Sequence, residues 1–478
     1  TSLTDYVAPY PLCGPARAAL LTGQLSHNNK IVSNFRSNDG GYHVFKDLPG
    51  RLNQRNSLGP WLHQAGYRTA LVGKYLNEYS SLDNSEVPPG WDRWAGLLDN
   101  STYDYFNYAI NVDGKVQYHG DRTYAQSQLD LANDNTNNPP NSFTEVLDSF
   151  KRAFDPYDYF GTQEESDYTM DVTGRLASSF VKKSAPKKKP FFLYYAPPGP
   201  HAEDTNHAQG FRPGAPEPDP RPPARYNDTF DKAKLPTPPS FNEADVSDKA
   251  ENLKNLPLLT DAQISTITDN YRGRLGALRA VDDQVGKIAR NLKKSGEFKN
   301  TYFIFTSDNG YMQGEHRLRS SKFLPYEDSA RIPALIAGPG IKKNRTINRP
   351  AMDVDLTATI IDMAGAKRGR TMDGISLLPA LRGKRKLPQR DLPLEAMRPL
   401  FVFYTPITAF DLPYYGVRTD RYKYIHWSFD TNNVELYDLK KDPDELDNLA
   451  NDPAYAATVA KLEAEATRLR SCRGNTCR

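Results

Sequence analysis

The first feature with chemical potential is a lone cysteine near the start of residues 10–24, YPLCGPARAALLTGQ. Pro15 favours a first helical position, the alanines and leucines after it form helices readily, and Gly23 suits the residue after a last turn. The pattern predicts a helix with Cys13 at or just before its N-terminus. Backbone N–H groups there bind anions, and Arg17 adds a guanidinium suited to a tetrahedral oxyanion. The alternative for Cys13 is a small buried apolar side chain.

A second polar pair follows a predicted strand. Asp308 and Asn309 come directly after TYFIFTS, residues 301–307. A carboxylate and an amide oxygen at the end of a strand can both reach a hard divalent cation. Asp-Asn-Gly is also common turn chemistry, so the pair alone leaves a metal site and a turn as alternatives.

The other two cysteines, Cys472 and Cys477, lie in SCRGNTCR near the C-terminus, and their spacing suits a small disulfide loop. A disulfide indicates an oxidising compartment, and the Asn-X-Ser/Thr sequons at Asn100, Asn227 and Asn344 agree with it. We therefore expect a secreted or lumenal, glycosylated protein whose signal segment is absent from this chain.

Charge and hydropathy exclude some function classes. The 478 residues include 61 Lys and Arg against 58 Asp and Glu, which gives a formal charge of +3. This net charge is too small to favour binding to nucleic acid or to a membrane surface. No apolar stretch approaches the roughly 20 residues that span a bilayer. The sequence predicts a chain that is soluble as given.

Strand and helix patterns alternate along the chain. Short runs rich in aromatic and β-branched residues predict strands at 67–73, 190–196, 301–307 and 331–338. Apolar periodicity predicts a long helix over 261–294. Such alternation favours an α/β fold with a large, mostly parallel central sheet between helices, and chemistry at the carboxyl ends of the strands.

Two changes in composition mark the domain organisation. Residues 196–240 are rich in proline and predict a long functional loop leaving a strand. The segment KRKLPQRDLP, residues 384–393, predicts an exposed linker. We expect a catalytic domain over 1–382 and a smaller C-terminal α+β subdomain over 383–478, with an antiparallel sheet and a final helix near 454–470.

Cys-X-Pro-X-Arg followed by LTG resembles the signature of the sulfatases. Further blocks in the order of that family cover most of the chain: GKYLN at 73–77, FFLYYAPPGPHAED at 191–204, FTSDNGYMQGEHRL at 305–318 and KFLPYEDSARIPALIAGPG at 322–340. The spacing is most similar to the branch with fungal and plant arylsulfatases and N-acetylglucosamine-6-sulfatases. The resemblance implies an alkaline-phosphatase-like sandwich and hydrolysis of aryl or sugar sulfate esters.

The resemblance also implies site roles. Cys13 would be oxidised to Cα-formylglycine by a formylglycine-generating enzyme, and one hydroxyl of the hydrated aldehyde would attack sulfur, giving a sulfo-enzyme intermediate. The second hydroxyl would then release sulfate, which a serine could not do. Lys74, His201 and Lys322 match sulfate-binding positions of the family, and His201 is also the candidate for protonating the leaving group.

Asp308, Asn309 and position 13 match the calcium site of the family. Two departures accompany this match. The first is that the adjacent aspartates that normally complete the site are missing, because Asp5 is the lone acid before Cys13. We therefore expect an N-terminal segment to be absent from this chain.

The second departure concerns a histidine that many sulfatases carry two residues after the strand lysine. Here Leu76 and Asn77 stand at that point, which leaves the base for the last step unassigned. His27, His43 and His316 are possible substitutes.

Three hypotheses follow. The leading one is a calcium-dependent, formylglycine-containing sulfatase. A phosphate or phosphonate monoester hydrolase of the same superfold would use similar anion-binding residues. A catalytically inactive relative that binds sulfated glycans would keep an unmodified Cys13.

Overall fold

The computed structural model describes the chain except for residues 37–38, 48–52, 81–82, 100, 124, 127–128, 131–163, 204–219, 252, 320, 399–412 and 428–432. Two compact units are present. The first unit comprises Thr1–Trp61, Pro236–Ile264 and Asn300–Arg478, and the second comprises Leu62–Leu235 and Ser265–Lys299. The predicted boundary between residues 382 and 383 stays a prediction.

In chain order the strands are β1 (Ser2–Leu3), β2 (Tyr6–Val7), β3 (Arg68–Gly73), β4 (Arg93–Leu97), β5 (Tyr108–Val112), β6 (Lys115–His119), β7 (Phe191–Ala196), β8 (Phe303–Thr306), β9 (Ala334–Ala337), β10 (Thr346–Ile347), β11 (Ala351–Met352), β12 (Leu392–Ala396), β13 (Tyr414–Arg418), β14 (Tyr422–Trp427) and β15 (Val434–Asp438). The helices are α1 (Cys13–Thr22), α2 (Ser26–Asn29), α3 (Gly41–Asp47), α4 (Leu58–Gln64), α5 (Thr169–Ser184), α6 (Asp261–Ser295), α7 (Glu327–Ala330), α8 (Asp353–Ala364), α9 (Leu378–Leu381) and α10 (Ala456–Leu469).

The first unit contains a mixed sheet in the order β10-β1-β9-β8 and a parallel pair of β2 and β11. Strand β9 runs antiparallel to both of its neighbours. A second sheet, β12-β13-β14-β15, is antiparallel throughout. Helix α10 packs on this sheet because Leu462, Ala466 and Leu469 share one helical face and lie in one buried cluster with Val417 and Leu436.

The second unit contains a sheet in the order β6-β5-β4-β3-β7. Strand β3 is parallel to both β4 and β7, so the carboxyl ends of these three strands lie at one edge. Helices α5 and α6 approach closely at Gly174, where a Cβ atom would lie 2.2 Å from the side chain of Gln284. Asn291 donates to the Ser178 hydroxyl at 2.6 Å and joins the same two helices.

The predicted strands at 67–73, 190–196, 301–307 and 331–338 are confirmed as β3, β7, β8 and β9, and the long helix as α6. The predicted α/β class is confirmed as well, with mixed sheets. One antiparallel pair is the β5–β6 hairpin, whose turn residues Asp113 and Gly114 both have positive φ. None of the helices in the described ranges combines the length and apolar composition that crossing a bilayer requires.

Candidate active site

Helix α1 begins at Cys13 and ends at Thr22, and the next residue, Gly23, caps it in the left-handed conformation with φ of 68°. The Cys13 side chain is buried in the first turn, and the residue is 2% exposed. The backbone N–H of Gly14, also in the first turn, donates to the Asn34 side chain at 2.7 Å. The predicted position of Cys13 at a helix N-terminus is confirmed.

Two polar side chains of the first unit contact the sulfur of Cys13. The Lys322 ammonium donates to Sγ at 3.0 Å, and Sγ lies 3.7 Å from Oδ1 of Asn309. Lys322 is brought to this place by the backbone, because the N–H of Phe323 donates to the carbonyl oxygen of Pro11 at 2.9 Å. Position 13 therefore contacts both a donor and an acceptor side chain.

Arg17 lies one turn after Cys13 on α1, and its Nε donates to Oδ2 of Asp308 at 2.7 Å. Asp308 and Asn309 follow β8 after one residue, Ser307, so this ion pair joins the carboxyl end of that strand to α1. Both partners are partly buried. The structure thus brings Cys13, Arg17, Asp308 and Asn309 together with Lys322, and these residues constitute the first-unit cluster.

The charges in the first-unit cluster affect one another. Burial opposes the positive charge of Lys322, but the negative charges of Cys13 and Asp308 outweigh it and raise the pKa of the lysine. Lys322 therefore remains an ammonium at neutral pH. A fixed cation beside position 13 favours negative charge that develops there.

Lys74 follows β3 in the second unit and is 3% exposed. Its backbone N–H donates to the carbonyl oxygen of Ala196, the last residue of β7, at 2.8 Å. Gly73 permits this approach, because it has a φ of 109° and a Cβ atom there would lie 2.0 Å from the Ala196 oxygen. The Lys74 ammonium donates to the Tyr103 hydroxyl.

His201 lies in the loop after β7 and is partly buried. Its Nδ1 donates to the carbonyl oxygen of Ala202 at 2.8 Å. The imidazole stacks on the ring of Tyr103, with the ring centroids 4.1 Å apart. Tyr103, Lys74 and His201 constitute the second-unit cluster. Sequence reasoning missed Tyr103, since nothing distinguishes it from the neighbouring aromatic residues of 101–108.

The histidines considered as substitute bases have structural partners. His27 Nδ1 lies 2.5 Å from Oε2 of Glu395, and His316 Nδ1 lies 2.6 Å from Oε2 of Glu243. His43 is buried beside the ring of Tyr42. Asp5, the lone acid before Cys13, accepts from Arg418 at 3.3 Å.

The remaining sequence predictions concern modifications. Cys472 and Cys477 form a disulfide with an S–S distance of 2.06 Å. Asn227 and Asn344 are exposed, as glycosylation requires. Asn100 lies outside the described residues.

Comparisons with known proteins cover the whole chain. A family profile described as Sulfatase matches residues 1–366, and one described as N-sulphoglucosamine sulphohydrolase, C-terminal, matches residues 314–472. The chain is 29% identical to N-acetylglucosamine-6-sulfatase of Homo sapiens over 500 residues, which cover 98% of this chain and 78% of the relative. It is 30% identical to an arylsulfatase of Volvox carteri over 518 residues, which cover 99% of this chain and 70% of the relative.

A solved structure shares the fold. BT4656, in complex with its substrate D-glucosamine-2-N,6-O-disulfate, superposes with a TM-score of 0.68 at 23% identity, covering 98% of this chain and 90% of that one. This likeness confirms the predicted alkaline-phosphatase-like fold.

Proposed function

This chain belongs to the sulfatase family and is a sulfuric ester hydrolase, and we propose that it cleaves sulfate esters of amino sugars at a nucleophile derived from Cys13. The observation that carries this proposal is the first-unit cluster, in which the Cys13 sulfur lies 3.0 Å from the Lys322 ammonium. Relatives that act on N-acetylglucosamine 6-sulfate favour a sugar substrate over an aryl sulfate.

The cations of the first-unit cluster match the charge of the reaction. A sulfate ester gathers negative charge on its nonbridging and leaving oxygens as the bond to sulfur breaks, so positioned donors lower the barrier. Lys322 and Arg17 would supply positive charge at position 13 and orient the sulfate group. The Arg17 guanidinium also keeps Asp308 in place through the 2.7 Å ion pair.

For the second-unit cluster we propose sulfate binding by Lys74 and protonation of the leaving oxygen by His201. Lys74 is an ammonium at the carboxyl end of β3, the edge where α/β sheets place their ligands. In this role Nε2 of His201 would carry the proton, while Nδ1 donates to the backbone carbonyl of Ala202. An alcohol of a sugar leaves poorly as an anion, so proton donation accelerates its departure.

The surroundings of position 13 fit the oxidised residue. When Cys13 is converted to formylglycine, its hydrate supplies the hydroxyl nucleophile. Hydroxyl groups in the place of Sγ need a donor and an acceptor, and Lys322 and Oδ1 of Asn309 are such partners. Since Cys13 is 2% exposed, we propose that the formylglycine-generating enzyme acts before the first unit folds.

A calcium ion fits the donor chemistry at the same place. Asp308 and Asn309 offer a carboxylate and an amide oxygen beside position 13, which are the oxygen ligands that hard cations prefer. These two residues would hold the ion, which supplies positive charge toward the sulfate oxygens. The Cys472–Cys477 disulfide supports a secreted or lumenal location.

Sulfate release from glucosamine 6-sulfate and 4-nitrophenyl sulfate, compared with release from the matched phosphate esters, tests the proposal. We expect turnover of the sulfates, faster on the sugar, and its abolition in Cys13→Ser and Cys13→Ala. Faster turnover of the phosphate esters would instead indicate the phosphate or phosphonate hydrolase. Glycan binding without turnover, on a protein with an intact Cys13 thiol, would indicate the inactive relative. Near-normal multiple turnover by Cys13→Ser would contradict the diol mechanism.

A further inference from the structure

We propose that Tyr103 is a positioning residue that orients both Lys74 and His201. The inference rests on the proposed function, because it assigns to one further side chain the alignment of two groups that act on the sulfate ester. Tyr103 ends a short 3-10 helix, Ser101–Tyr103, in the second unit.

The hydroxyl of Tyr103 holds the ammonium of Lys74. It accepts from Lys74 Nζ and lies 3.3 Å from Nδ2 of Asn77. The ammonium lies 4.6 Å from the centroid of the tyrosine ring, on the side of the hydroxyl. A phenol is a neutral acceptor, so it fixes the ammonium without cancelling the charge that an anionic group needs.

The ring of Tyr103 orients the imidazole of His201. The two rings stack at 4.1 Å with an interplanar angle of 25°. The backbone of His201 is held separately, because the hydroxyl of Tyr105 donates to its carbonyl oxygen at 2.5 Å. With Nδ1 bound to Ala202, the stacked ring fixes the remaining rotation of the imidazole and therefore the direction of Nε2.

The segment that carries Tyr103 is anchored at Ser101. The hydroxyl of Ser101 donates to the carbonyl oxygen of Leu98 at 3.0 Å and accepts from the backbone N–H of Ala109 at 3.0 Å. Ser101 is fully buried. A side chain on such a segment can define the position of its neighbours rather than follow them.

Two substitutions separate the hydroxyl from the ring. Tyr103→Phe removes the hydroxyl that accepts from the Lys74 ammonium and keeps the stack on His201, whereas Tyr103→Leu removes both the hydroxyl and the stacked ring. Steady-state kinetics on glucosamine 6-sulfate and 4-nitrophenyl sulfate give separate kcat and KM values. Nitrophenol is a good leaving group and needs little protonation, so the two substrates report on His201 differently.

For Tyr103→Phe we expect KM to rise about tenfold on both substrates with kcat within about twofold, because the lysine binds sulfate. For Tyr103→Leu we expect the same rise in KM and, in addition, a roughly tenfold lower kcat on the sugar sulfate, with little change of kcat on the nitrophenyl ester. A purely structural role would lower kcat equally on both substrates, and that result would overturn the inference. Both variants behaving like the unsubstituted protein would overturn it as well.

Tyr415 provides the matched control. It stacks on His426 with centroids 4.7 Å apart in the antiparallel sheet of the first unit, and nothing places that pair in catalysis. Tyr415→Phe and Tyr415→Leu should keep kcat and KM within about twofold. If the unsubstituted protein turned over neither sulfate, the proposed function itself would fail, which is distinct from an active protein insensitive to changes at Tyr103.

Discussion

Replacing Lys322 with methionine removes the ammonium beside position 13 and keeps an unbranched side chain of similar length. The Lys322 Nζ lies 3.0 Å from Sγ of Cys13. Burial opposes the charge of Lys322, but the negative charges of Cys13 and Asp308 outweigh it and raise the pKa of the lysine. Lys322 is therefore charged at neutral pH, and the substitution removes a full positive charge.

The magnitude follows from the type of contact. A hydrogen bond to a charged group contributes about 1.5–3 kcal/mol. A donor aimed at charge that develops in the transition state contributes about 2.7–4 kcal/mol, or roughly 100- to 1000-fold in rate. Since Lys322 is partly buried and at hydrogen-bonding distance, we expect Lys322→Met to lower kcat about 100-fold or more.

The assay is sulfate release from glucosamine 6-sulfate at saturating substrate. Lys343→Met is the matched control, because Lys343 is an exposed lysine of the same unit. The mass of the peptide containing position 13 must show the same extent of oxidation in both variants, so that a loss of maturation is not taken for a loss of catalysis. A kcat within threefold or so of the unsubstituted protein, with full oxidation, would refute this reasoning.

Three further predictions concern Arg17, His27 and Asp355. Arg17→Lys keeps the charge but loses the planar fork at Asp308, so kcat/KM should fall about tenfold in the same assay. Burial opposes the charge on His27, but Glu395 outweighs it and raises the pKa of His27 to about 9. This folded-state pKa lies above the unfolded value of about 6.5, so the charged histidine stabilises the fold by up to about 3 kcal/mol. That stabilisation is fully present below pH 6.5 and should disappear as the pH rises to about 9. In urea titrations, His27→Gln should abolish this pH dependence of the free energy of unfolding. Asp355→Ala leaves a buried arginine unpaired and should lower the free energy of unfolding by about 3–5 kcal/mol.

Each of these three has a contradicting outcome. Equal kcat/KM values for Arg17→Lys and the unsubstituted protein would show that the fork is unimportant. A His27→Gln variant with the same loss of stability above pH 6.5 would assign that loss to another group. Urea midpoints of Asp355→Ala within the error of the unsubstituted protein would show that the buried ion pair contributes little.

Local signals predicted the elements that carry the site. The helix start at Cys13 and the left-handed end at Gly23 follow from Pro15 and the glycine itself, and both are confirmed. The strands before Lys74 and Asp308 follow from runs of β-branched and aromatic residues bounded by polar or glycine residues.

The side-chain pairings within the two clusters depend on contacts between residues that are distant in sequence. The Tyr103 hydroxyl meets Lys74 across 29 positions, and Lys322 meets Cys13 across 309, so neither pairing has a local signature. The antiparallel pairing of β5 and β6 does have a local sequence signature. Asp113-Gly114 between two strands is typical of a two-residue hairpin turn.

The most direct test of the central claim is the mass of the tryptic peptide ending at Arg17, measured on a preparation that turns over sulfate esters. The account predicts a peptide in which the sulfur and two hydrogens of Cys13 are replaced by one aldehyde oxygen. An intact thiol on the whole of an active preparation would contradict the account.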